Sequence, residues 1–410
     1  MVRHWLGHFS SSLWLLIVTA AGASLCLSVF SVVFNLYASA AGVTPQALGI
    51  INAATAIGSG IAILPTGLIA NRWGRKRTLI CGGILFASGS LLQSTTEGTL
   101  SLTFGGFLAG AGGAIAEVLT IPIFLEYAAS IDQGLVLSVS GAAQVAAGAL
   151  GSALGGILPS WWNHFTSGAV RPLRFTLLTA LAAALVPALI FLFRYHDTPN
   201  SPSVQLPSPW RQSSWTAQIA RGSAIVGTVG LGAGLTIPYL NLYFIQRLHS
   251  SLAEYGLLVG LTSLSVALGT LLAGPLIRRF GVPSIMIATQ GIATALLVAL
   301  AYVRVHIYAQ AIYLLRNTAM DMAQPAATGW LIHDLPPALQ PLGYGILLIA
   351  FQLPWALGSS ASGFIRAYGG FKLTFAMTSL CYFISTLLWI IFFVHHNSRE
   401  KLTETQQTSA

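Results

Sequence analysis

The chain has 410 residues, 55% of them hydrophobic and only 7% charged, where soluble domains carry roughly a quarter charged residues. So little polar side chain cannot cover a folded surface, which excludes an ordinary soluble protein and makes lipid the solvent. The formal charge of +9 comes from basic residues placed singly or in one short cluster between apolar runs, so it marks topology and excludes a nucleic-acid-binding face.

Apolar runs bounded by glycines, prolines and charges predict six membrane spans at 13–38, 45–70, 78–93, 99–125, 134–158 and 174–193. Six more follow at 217–245, 253–277, 284–303, 307–332, 342–364 and 371–394. The first run, from Leu13 to Ala38, is longer than the roughly 7–15-residue core of a signal peptide and is read as a retained helix. Between the two sets, Tyr195 to Arg221 holds four prolines, several serines and both charge signs, the composition of a surface linker. The expected fold is an all-α integral membrane protein of twelve helices in two pseudo-symmetric six-helix bundles, 1–194 and 222–395, with a linker at 195–221 and a tail at 396–410. Cys26, Cys81 and Cys381 lie in apolar stretches without metal-type spacing and predict no disulfide.

Lysines and arginines in the loops set the orientation. With the N-terminus inside, twelve collect on the cytoplasmic side and six on the other. Both termini and the linker are therefore expected in the cytoplasm, with the chain in the cell membrane. An internal repeat supports the two-bundle reading. Asn35 near the end of the first span recurs as Asn241 near the end of the seventh. A shift of 207 then superposes Gly67 on Gly274, Arg72 on Arg279, Gly74 on Gly281 and Leu150-Gly151-Ser152 on Leu357-Gly358-Ser359.

The loop after the second span reads Gly67-Leu68-Ile69-Ala70-Asn71-Arg72-Trp73-Gly74-Arg75-Lys76. It resembles the signature of the major facilitator superfamily, Gly-x-x-x-Asp-Arg-x-Gly-Arg-Arg/Lys, with a degenerate copy at Gly274 to Gly281 where that family repeats it. The resemblance implies a secondary transporter working by alternating access around a central cavity, and assigns Gly67, Asn71, Arg72, Gly74, Arg75, Glu126 and Arg279 to a cytoplasmic gate. Gly67 is expected to allow close helix approach and Gly74 a tight turn, with the arginines holding Glu126 or Asp132. Asn71 stands where the family has aspartate, which removes one charge from that latch. The fifth-span segment Gly151-Ser152-Ala153-Leu154-Gly155-Gly156 resembles the Gly-Pro-x-x-Gly-Gly segment of proton-coupled drug antiporters, although small residues at this spacing also serve helix packing. In the fourth span, glycine stands where the family commonly has arginine.

Ionisable groups deep in a span are costly and invite a functional role. Glu117 lies in the fourth span, and Arg316 and Asp321 in its counterpart, the tenth. A carboxyl group in a low-dielectric interior can take up and release a proton near neutrality, so Glu117 and Asp321 are the candidates for proton coupling. The competing account is a structural pair between Arg316 and Glu117. Asn317, Asp321, Gln324 and Thr328 follow one another at steps of four, three and four and share a helix face expected to line the cavity. Asn35, Gln144, Asn241, Arg316 and Gln352 are further cavity candidates. No phosphate-binding loop appears, which excludes ATP-driven pumping within this chain. No enzyme activity, cofactor or metal is expected.

The function expected is proton-coupled export of lipophilic or weakly polar small molecules by a monomer, with the small-molecule substrate, protons and the bilayer as its partners. The alternatives are uptake or facilitated movement of a neutral metabolite, and a non-transporting receptor on a carrier scaffold.

Overall fold

The computed structural model describes residues 9–127, 133–195, 213–336 and 339–394. Lipid offers no partner to backbone amides and carbonyls, so a spanning chain satisfies them internally. Accordingly, the regular structure among the described residues is helix, with no strand. The first six helices are α1 Ser11–Ala40, α2 Pro45–Trp73, α3 Arg75–Thr95, α4 Thr99–Tyr127, α5 Gln133–Trp162 and α6 Arg171–Arg194. Then come α7 Ser213–Thr236, α8 Leu252–Phe280, α9 Val282–Tyr302, α10 His306–Asp321 and α11 Gln324–His333. The run Gln340–Trp389 leaves helical geometry at Gly370 (φ 62°, ψ −165°) and forms α12 (340–369) and α13 (371–389).

Among the described residues, ten helices are long and apolar enough to cross a membrane. The last of these holds both α12 and α13, and α10 with α11 forms one interrupted crossing, which agrees with the expected twelve. Two features differ from the sequence expectation. The tenth span is broken, and α7 begins at Ser213, inside the stretch expected as linker. Residues 196–212, Asp132 and the tail 396–410 lie outside the described residues.

Local chemistry sets the helix ends. Ser10 Oγ accepts from the Leu13 amide at 3.2 Å, and Thr44 Oγ1 from the Ala47 amide at 3.3 Å ahead of Pro45. At α8, Ser251 and Glu254 cap each other's amides, at 2.8 and 3.1 Å. Gly74 (φ 89°) and Gly281 (φ 79°) start α3 and α9, so the repeated glycine supplies the same left-handed corner twice.

The chain packs as two compact units. One holds residues 9–195 with Pro238–Leu264, the other 213–237 with 265–394. In the first unit α4 lies against α2 and α3. A methyl group at Gly58 would strike the Phe107 backbone, at Gly110 the Thr55 backbone, and at Gly89 the backbone of Gly105 and Ala109. Gly151 on α5 meets Leu25 of α1 in the same close way, and Gly156 meets the Leu252–Gly256 stretch of α8. In the second unit Gly358 of α12 meets Leu231 of α7, the repeat equivalent of the α5–α1 contact.

Pro238 interrupts the seventh crossing. Lacking an N–H, it leaves the Gly234 carbonyl without its helical partner. The Ser359 hydroxyl donates to that carbonyl at 3.2 Å, and Ser362 donates to Leu235 at 2.6 Å. The chain then passes through a tight turn at Ile237–Tyr239 and a widened one at Tyr243–Arg247.

Candidate functional site

The loop between α2 and α3 joins part of the expected gate. Arg75 is paired with Glu126 at the end of α4, both half-buried, and the Tyr195 hydroxyl donates to the second Glu126 oxygen at 3.2 Å. Asn71, Arg72 and Arg279 are exposed, and the Arg279 guanidinium lies 5.2 Å from the centre of the Phe280 ring. Gly67 is exposed, and a methyl group there would touch nothing within its own unit among the described residues; the close approach of α2 to α4 is made by Gly58 and Gly110.

The amides expected in a cavity divide. Asn35 donates to the Pro238 carbonyl and accepts from Asn52 at 3.1 Å, while Asn241 donates to the Val32 carbonyl at 3.0 Å. Both are buried and tie Pro238–Leu242 to α1, so their groups are occupied within the protein. Gln144 bonds within its own helix to Ser140, and Gln352 is half-buried on α12. Glu117 is exposed on α4 and has no hydrogen-bond or ion-pair partner among the described residues.

A cavity of about 410 Å³ lies in the second unit, walled by α7 and α9 to α13. Asn317, Asp321, Gln324 and Thr328 all line it, together with Arg316. α10 stops at Asp321 and α11 restarts at Gln324. Pro325 explains the place of the break, because it has no N–H to give the Asp321 carbonyl. An interrupted helix at membrane depth puts polar backbone and side chain where a cavity shields them from lipid. Asp321 is accessible at this wall, whereas Arg316 is 3% exposed. The Arg316 guanidinium donates to Asn317 Oδ1 at 2.5 Å and to the Tyr382 hydroxyl at 2.6 Å. No carboxylate among the described residues lies within 4.0 Å of it, so the expected structural pair with an acid is absent there. Apolar side chains of Ile225, Val229, Met286, Phe351 and Trp355 complete the wall.

A model of the Major Facilitator Superfamily matches residues 16–229 and 222–409. The chain belongs to the major facilitator superfamily. No curated protein matches its sequence. Among solved structures, a nucleoside transporter, NupG (D323A mutant), superposes with a TM-score of 0.76 at 12% identity, covering 93% of this chain and 100% of that one. A D-xylose-proton symporter gives 0.70 at 16% identity, covering 92% and 96%. A bacterial homologue of the human lysosomal transporter Spinster, inward-facing and unoccupied, gives 0.71 at 14%, covering 93% and 96%. This superfamily member is thus a multi-pass membrane transporter and not an enzyme, built for secondary transport of small molecules.

Sequence reasoning passed over Tyr382, Gln290 and Trp389, which line the same cavity of this major facilitator. Gln290 and Tyr382 are polar side chains inside otherwise apolar spans, and that was the available signal. Tyr382 meets Arg316 across 66 residues, a pairing no local pattern encodes.

Proposed function

We propose that the protein is a proton-coupled alternating-access carrier for small amphipathic molecules, with Asp321 as the group that carries the proton. The observation behind it is the interruption of the tenth crossing at Asp321, in the wall of a cavity otherwise lined by large apolar side chains. The D-xylose-proton symporter supports the reading by likeness of fold, since its name records proton coupling on the same architecture. Glu117, exposed and unpartnered, is the second proton candidate. The carrier acts as a monomer in the cell membrane with both termini in the cytoplasm, as its arginine and lysine distribution favours.

Export of lipophilic compounds remains the proposed direction, and the sign of the flux tests it, because Gly151 and Gly156 of the antiporter-like segment are used in helix packing. A second reading, proton-independent movement of a neutral metabolite, is favoured by the amides of Asn317 and Gln324 in the same wall. Liposomes holding a pH-sensitive dye, loaded with a panel of lipophilic compounds, separate the two. Compound-driven proton movement that Asp321→Asn abolishes supports proton coupling. Flux that survives Asp321→Asn and ignores the pH gradient supports the neutral-metabolite reading.

A further inference from the structure

The Arg316 guanidinium is a buried cation whose contacts are all neutral. Its two terminal nitrogens go to Asn317 Oδ1 and the Tyr382 hydroxyl, and its carbon lies 5.2 Å from the centre of the Tyr382 ring. Its Nε–H has no acceptor. A buried charge without a directly paired counter-charge is costly for a fold to retain. A guanidinium donates only, so this lack is not remedied by a ligand that is itself a donor.

We infer that Arg316 forms the anion-binding point of the cavity, and that the substrate is an organic monocarboxylate with an apolar body. This rests on the carrier reading above. A carboxylate matches the planar fork of an arginine and brings the missing charge and acceptors together. A single arginine favours a monoanion, since a phosphate dianion would leave negative charge uncompensated in a low-dielectric site. Ile225, Val229, Met286 and Phe351 take the apolar body, and the cavity of about 410 Å³ admits one of modest size. Asp321 lines the same wall without an ion pair to Arg316; in the carrier reading it is the proton carrier, and in its protonated form it leaves the cation to the ligand.

The test is equilibrium binding to the full-length protein in lipid nanodiscs. The probes are 4-phenylbutyrate, 2-naphthoate and naproxen, each beside its primary amide. At least one acid is expected to bind wild type at least about tenfold more tightly than its amide, a difference of about 1.4 kcal/mol. Arg316→Gln is expected to erase that preference and Arg316→Lys to keep part of it. If folded wild type binds each acid no better than its amide, or binds none, the inference is overturned whatever the variants do. It is equally overturned if Arg316→Gln keeps the full preference. Flux of the same compounds in liposomes separates this from the carrier reading. Carboxylate-selective binding without flux sinks the carrier and leaves the site, whereas flux without carboxylate preference does the reverse.

Discussion

The fourth crossing and the tenth hold corresponding places in the internal repeat. α4 runs unbroken from Thr99 to Tyr127, with Gly105, Gly106, Gly110 and Gly112 pressed against α2 and α3. Its carboxyl group, Glu117, stands exposed and makes no ion pair among the described residues. The tenth crossing is divided into α10 and α11, buries Arg316, and ends its first half on Asp321. Proline alone does not account for the contrast, because Pro122 lies inside α4 without breaking it. One copy of a duplicated unit thus serves as a packing surface, while the other brings charge and amides to a cavity.

The contrast breaks most readily at the carboxylates. Asp321→Asn is expected to abolish proton-linked flux in liposomes, while Glu117→Gln keeps it within about twofold. Equal losses would mean that both copies carry chemistry. Next in size is the packing role of α4. Gly110→Val drives a side chain into the Thr55 backbone and is expected to lower stability by about 1–3 kcal/mol or prevent folding, read as the melting temperature in detergent. Gly113→Ala, which meets only the Phe86 ring edge at 3.9 Å, is expected to leave it unchanged. If the two substitutions behave alike, α4 does not pack as described.

Smaller effects sharpen the comparison. Pro325→Ala returns an amide donor to the Asp321 carbonyl and is expected to reduce transport several-fold, with stability within about 1 kcal/mol of wild type. Pro122→Ala in α4 is expected to be silent in the same flux assay. Smallest is the gate. Glu126→Gln weakens a half-buried pair with Arg75 and is expected to cost about 0.5–1 kcal/mol in thermal unfolding, with Tyr195→Phe costing less.

The length of apolar runs announces the spans, because bilayer thickness leaves few alternatives. The repeated Gly74 and Gly281 were equally legible, since a helix start after a left-handed corner selects glycine. The break in the tenth crossing was not. Pro325 was in view, but Pro122 shows that a proline inside a span does not by itself end it. The close approach of α2 to α4 falls to Gly58 and Gly110 rather than to Gly67, since a motif names residues without saying which face meets a neighbour. Asn317 holds Arg316 from its own helix, but the second partner, Tyr382, comes from the twelfth crossing, where no local pattern could place it.

The broken crossing also bears on how the protein is made. At the centre of a span, arginine or aspartate opposes entry into the bilayer by about 2.5–3.5 kcal/mol each. Neither α10 nor α11 is among the helices long and apolar enough to cross alone. During synthesis this segment therefore depends on its neighbours for insertion. α9 is already in place, but Tyr382, which shelters Arg316, emerges from the ribosome 66 residues later. A nascent chain stopped short of α13 leaves Arg316 without that hydroxyl, so the part of the carrier that handles charge is the last to be committed to the membrane.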